Sequence, residues 1–157
     1  MEKTSSSSAY STALNFLSRK GHSKFTLIKK LQEKGFDFAE INEAIIKLEG
    51  SNYIREDSYK RSKIINLMRK CYSVKFIKRQ LEEQDHIESE ASEILAIFSE
   101  FNITEEDLVK KIINKKCSLK EKNSADKIKN RVLKSLQRKG HDDEAYSFFV
   151  DEELQVT

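Results

Sequence analysis

Ser23-Lys24-Phe25-Thr26-Leu27-Ile28-Lys29-Lys30-Leu31-Gln32-Glu33-Lys34-Gly35 reads as one complete helix with both ends marked. A serine that can accept a backbone N–H opens it, Leu27, Ile28 and Leu31 recur three and four apart, and a glycine supplies the left-handed residue that ends it. Working outward, Ala13, Leu14, Phe16 and Leu17 predict a preceding helix that stops near Gly21. Downstream, Asp37 and Glu40 form a D-x-x-E start for a third helix, with Ile41, Ala44, Ile45 and Leu48 on one side and Gly50 beyond its end. Together these make one three-helix unit in about 40 residues.

The unit recurs. A shift of 50 positions lays Ser73, Ile77, Leu81, Glu83 and Leu95 over Ser23, Leu27, Leu31, Glu33 and Ile45. A shift of 105 lays Leu136-Gln137-Arg138-Lys139-Gly140 over Leu31-Gln32-Glu33-Lys34-Gly35, Val132 over Leu27, and Tyr146 and Val150 over Ile41 and Ile45. Further helices are predicted over about 57 to 70, begun by Asp57, and about 105 to 116, capped by Thr104 with Asp107 in the first turn. The expectation is an all-α chain of three tandem three-helix modules, at residues 11–55, 56–102 and 103–157 behind a flexible tail at 1–10. Modules this small bury too little surface alone, so neighbours are expected to share apolar contacts in an elongated, curved molecule. The polar stretch Asn114 to Asp126 reads as a joint that frays or hinges before the last module.

Composition agrees with helices. The 157 residues include no Pro, no Trp and only four Gly, so primed hairpin turns have almost nothing to be built from. Hydrophobic residues are 38% and charged residues 35%, which fits an ordered chain with much surface and excludes a disordered one. No run of about 18 apolar residues occurs and Met1 to Ser8 lacks an apolar signal core, so a cytoplasmic protein without membrane contact is expected. Cys71 and Cys117, with no CxxC and no histidine cluster nearby, read as reduced thiols rather than as a disulfide or zinc ligands.

The net charge of +3 hides strong segregation. Ser58 to Leu81 carries eight bases (Lys60, Arg61, Lys63, Arg69, Lys70, Lys75, Lys78, Arg79) and no acid, whereas Glu82 to Asp107 carries ten acids and no base. Lys110 to Lys139 then holds twelve bases against two acids, and Asp142 to Glu153 holds six acids and no base. Basic residues on successive helices can line up to neutralise phosphates, with salt-sensitive nucleic-acid binding as the consequence. The competing account is that each block is a solvated helix face satisfied by an acidic neighbour within the fold. Tyr72 and Phe76 lie among the bases of the middle block, where they serve either as core or as a platform for exposed bases; Phe76 fits the edge of the Ile77 and Leu81 face.

Catalytic sets are missing. No two glycines are closer than 14 residues, and no GK[ST], HExxH or EF-hand loop occurs, so an enzyme is not expected. His86 and His141 fall on the position of Phe36, two beyond a helix end, which predicts a clasp folded over the preceding turn rather than a metal ligand. His22 precedes a cap and is expected at the surface.

Three stretches in this order and spacing resemble the RecX family, whose members modulate the RecA recombinase. They are Ala13 to Arg19 followed by His22-Ser23 and Leu31 to Phe36; Leu48 through Tyr53-Ile54-Arg55-Glu56-Asp57-Ser58-Tyr59; and Lys129 to Gly140. The resemblance implies a cofactor-free monomer that lies in the groove of a RecA filament on single-stranded DNA, suppressing its ATPase and strand exchange and limiting filament growth. The residues expected to meet filament or nucleic acid are Lys60, Arg61, Lys63, Arg69, Lys70, Lys75, Lys78, Arg79, Lys127, Lys129, Arg131, Lys134, Arg138 and Lys139. Direct duplex-DNA binding by helix-turn-helix-like units, or a purely protein-binding helical adaptor, are the alternatives. The chain departs from the family where Cys71-Tyr72 precede Ser73 in place of a glycine, where Gln84-Asp85 replaces Lys-Gly, and where Lys60 replaces a small residue. A glycine lost at a left-handed position costs roughly 1 kcal/mol unless Asp85 or a shifted turn accommodates it.

Overall fold

Hydroxyl and carboxylate side chains open most of the helices whose starts can be traced to a single residue. In the computed structural model, which describes residues 7–118 and 124–155, Ser8 accepts from the Ser11 N–H, Ser23 from Thr26 and Asp37 from Glu40. Thr104 and Asp107 each accept the other's backbone N–H in a full capping box. The helices so opened are α1 (Ala9–Arg19), α2 (Lys24–Glu33), α3 (Phe38–Gly50) and α7 (Glu105–Cys117). Ser73 and Asp142 likewise accept the Phe76 and Ala145 N–H at the starts of α5 (Val74–Asp85) and α9 (Asp143–Gln155), and the remaining three are α4 (Glu56–Arg69), α6 (Ala91–Glu100) and α8 (Ala125–Arg138). Among the described residues there is no strand, and the helices follow as three successive triplets. No described helix is long and apolar enough to cross a membrane.

Two boundaries differ from expectation. The first helix begins at Ala9, because Ser8 caps it and Ala9 is fully buried, so positions 9 and 10 are not tail. The expected joint from Asn114 is helical through Cys117, since α7 continues its buried Ile112 and Ile113 face by one more turn; residues 119–123 lie outside the described part.

Contacts divide the chain into two compact units, and the boundary falls inside α4 and α5. One unit holds the residues up to Ser62 with Leu81–Glu88; the other holds Lys63–Gln80 with the residues from Ser89 onward. In the first, α1, α2 and α3 pack on one another around Ala9, Ala13, Leu27, Leu31, Ile41, Ala44, Ile45 and Leu48. Leu27 and Leu31 are 0% exposed, and each contributes about 2 kcal/mol by leaving water. Glu40 adds a polar tie: its carboxylate accepts the Ala9 N–H at 3.2 Å, satisfying the start of α1 rather than closing a capping box on α3. In the second unit α7, α8 and α9 pack mutually, and Leu108, Val109, Ile113, Val132, Leu136 and Val150 are buried.

The ends of α2 and α8 are near copies. Gly35 (φ 88°) and Gly140 (φ 77°) are left-handed, and the next residue's N–H reaches back to the same carbonyl, Phe36 to Leu31 O and His141 to Leu136 O. In the middle triplet the turn has slid by one residue. α5 runs on through Asp85, the left-handed residue is His86 (φ 54°), and Ile87 makes the return bond to Leu81 O. His86 is therefore not the clasp predicted for it; buried Ile87 is, while the exposed His86 ring stacks on Phe25 at 3.6 Å. The slide places the Asp85 carboxylate in the interior, 2% exposed, where it accepts the Tyr59 hydroxyl at 2.9 Å. Burial and that bond together push the Tyr59 phenol well above its usual range. Cys71 (φ 65°) carries the left-handed conformation in the turn between α4 and α5.

Candidate polyanion interface

The second unit concentrates positive charge where three helices present basic faces. The last turn of α4 supplies Arg69, the turn after it Lys70, α7 supplies Lys111, Lys115 and Lys116, and the end of α8 supplies Arg138 and Lys139. With Cys71, Ile112 and Ser135 they line a cavity of about 480 Å³ that has seven cations and no carboxylate in its wall. Gathering like charges this way costs folding energy, and a bound polyanion offsets that cost.

Lys139 is the best-held member. Its ammonium donates to the Lys70 carbonyl and lies 4.2 Å from the centre of the Tyr72 ring. Burial depresses its pKa; Arg138, Lys115 and Lys70 push the same way, while Cys71 acts in the opposite sense. Tyr72 stacks on Phe76 with ring centres 4.3 Å apart, and the Arg79 guanidinium covers Phe76 at 5.5 Å. The result is a four-membered ladder of cation, ring, ring and cation. Both rings are half-buried, so the choice between core and platform resolves into a stack with its edges in solvent. Phe76, Lys75 and Arg79 also line a smaller cavity of about 240 Å³.

The loop after α8 is fastened to the turn before α5 by backbone and side-chain bonds. Ser73 N–H donates to Lys139 O at 2.9 Å, Ser73 Oγ donates to Gly140 O at 2.8 Å, and His141 Nε2 donates to Cys71 O at 2.7 Å. A Cβ on Gly140 would lie 2.7 Å from both Phe76 Cβ and Ser73 Oγ, so only glycine fits. His141 is thus a buried clasp, as its position predicts, though it holds by a hydrogen bond rather than by apolar packing alone.

Of the residues predicted from charge, the structure brings Arg69, Lys70, Arg138 and Lys139 into the large cavity and Lys75 and Arg79 into the small one. Lys78 lines a third cavity with Lys75, Glu105 and Asp142. Lys63, Lys127, Lys129, Arg131 and Lys134 line none of these, and Lys129 is paired with Asp151 at 2.6 Å. Lys60 and Arg61 belong to the other unit, where Lys60 donates to Glu88 O. Sequence reasoning misses Lys111, Lys115 and Lys116, of which the last two fall in the polar stretch that reads as a joint. Their spacing of four and five along α7 was the available signal. His22 is half-buried edge-on to Phe16, and burial beside Lys30 and Lys20 lowers its pKa. Cys71 and Cys117 are both thiols.

These features define a tandem three-helix-repeat protein that carries a cationic groove. A family model described as RecX, first three-helix domain, matches residues 9–48, the span of α1 to α3. The regulatory protein RecX of Haemophilus influenzae (strain PittEE) is 30% identical over 108 residues, which cover 68% of this chain and 71% of that protein. That of Syntrophotalea carbinolica is 35% identical over 60 residues, 38% of this chain and 39% of that one. The crystal structure of RecX from Lactobacillus salivarius aligns over 95% of this chain and 96% of its own with a TM-score of 0.63 at 23% identity, a likeness of fold. The chain belongs to the RecX family of regulatory proteins.

Proposed function

We propose that this RecX family chain binds the RecA filament on single-stranded DNA in the cytoplasm and slows its ATPase, strand exchange and growth, so regulating recombination and repair. It acts as a cofactor-free monomeric binding protein and not as an enzyme. The observation that supports this most is the cavity walled by Arg69, Lys70, Lys111, Lys115, Lys116, Arg138 and Lys139, which suits the phosphates and acidic side chains of a nucleoprotein surface. Direct contact with single-stranded DNA is part of the same reading, because the Tyr72–Phe76 stack adjoins Lys139 and offers ring edges beside the cations. Sequence-specific duplex reading is disfavoured: five of the seven groove cations are lysines, point charges that suit phosphates better than bidentate guanine contacts.

Charge reversal tests the assignment. Lys115→Glu with Lys116→Glu should leave helix content intact and weaken binding to RecA filaments. The slope of log K against log salt should flatten by about 1.4, two phosphate contacts at roughly 0.7 each. Unchanged affinity and slope would remove the groove from the interface.

A further inference from the structure

Two equivalent helix ends in this chain have opposite fates. At the end of α8, Lys139 and Gly140 are half-buried and His141 is buried, because the turn Lys70–Ser73 docks on them. At the end of α2, the equivalent Lys34 and Gly35 are exposed and Phe36 is half-buried. The backbone is the same in both: left-handed glycine, the same return bond, the same preceding Leu-Gln-x-Lys-Gly. A Cβ on Gly140 would strike Ser73 and Phe76, whereas a Cβ on Gly35 meets nothing within 4 Å. The open end gives onto a cavity of about 630 Å³ whose wall includes Asn15, Phe16, the cations Arg19 and Lys34, and one carboxylate, Glu40, which is engaged by the Ala9 N–H. At the corresponding end of α5 the Phe25 ring stacks on His86, which stays exposed.

We infer that Lys34–Gly35–Phe36 is a docking site for a helical hairpin of a partner protein, one helix end joined by a short turn to a Ser- or Thr-capped second helix. The covered copy specifies the chemistry. The occupant must bring a backbone N–H and a hydroxyl for the Lys34 and Gly35 carbonyls, as Ser73 does, and a helix-terminal carbonyl for the Lys34 ammonium, as Lys70 does. The negative end of a helix dipole complements Lys34 and Arg19. A second copy of this chain is a poor occupant: the two serines that cap a helix just after another helix, Ser23 and Ser73, are 0% and 2% exposed and already held inside their own units, and Ser124 before α8 makes no side-chain cap bond. A nucleic acid lacks the paired N–H and hydroxyl of a helix cap.

The inference rests on the proposed function for its probe, the RecA filament on single-stranded DNA. Lys34→Glu removes the ammonium at an exposed position. Gly35→Asn keeps a left-handed conformation that asparagine tolerates while filling the space the turn would enter. Each variant should lose about tenfold in filament affinity, the size of one charge-assisted bond. Melting temperature and affinity for naked single-stranded DNA should stay at wild-type values. Both variants binding the filament as wild type does would overturn the docking site and leave the proposed function standing. A wild-type chain that ignores the filament would overturn both. Self-association of the wild type that Lys34→Glu abolishes would give the face to a second copy and contradict the partner assignment.

Discussion

Gly35 and Gly140 share a conformation, yet a methyl group should affect them differently. Gly35→Ala meets only left-handed strain, about 1 kcal/mol, whereas Gly140→Ala adds a collision with Phe76 Cβ and Ser73 Oγ and should cost about 3 kcal/mol in all. Denaturant unfolding of the two variants checks this, and equal losses would mean the Ser73 turn does not press on Gly140. Lys139 invites a second test at this scale. Its pKa is lowered, so the charged form is disfavoured, and the cost is present at neutral pH and relieved as pH rises through the lowered value. A bound polyanion reverses that bias, so binding at alkaline pH just below the ordinary lysine range should take up protons, an uptake that is smaller in Lys139→Gln. Calorimetry in buffers of different ionisation enthalpy measures it. The Lys-Gly pair itself was legible, because it recurs verbatim 105 residues on. The slide of the middle turn to His86 was not, because nothing local distinguishes a left-handed histidine from a left-handed aspartate one residue earlier.

Helix starts read well from sequence, since one side chain decides each. Ser23, Asp37 and Thr104 cap where expected, and α7 and α4 begin within a residue of their predicted positions. Thr104→Ala should therefore destabilise the chain by about 1 kcal/mol. The effect has a pH signature: the Thr104 backbone and hydroxyl hold the Asp107 carboxyl below its usual range, so its contribution is present at neutral pH and fades as pH falls through that lowered value. The gap between wild type and variant should narrow in strong acid without closing, because Thr104 Oγ1 still accepts the Asp107 N–H there; a gap that does not change with pH would contradict the carboxylate's part in the box. What sequence could not supply is which helix faces meet. Lys115 and Lys116 come from the run read as a joint and Lys111 from just before it, and only the packing of α7 on α8 brings them beside Arg138 and Lys139. Conversely Lys127, Lys129, Arg131 and Lys134 are basic by count yet line none of the cavities that gather the other cations.

For the whole chain, family membership and the collected charge point the same way. The repeat in the sequence corresponds to three triplets of helices, and its charge blocks predict a cationic surface of which the second unit gathers one part into a groove. On the proposed function, salt sensitivity and filament affinity are expected to come from that groove, and the exposed end of α2 is the separate, protein-directed contact inferred above. The most direct measurement is ATP turnover by RecA on single-stranded DNA as this chain is titrated in at physiological salt. Turnover should fall with dose for the wild type and fall far less for Lys115→Glu with Lys116→Glu; turnover unchanged at every dose of the wild-type chain would contradict the account.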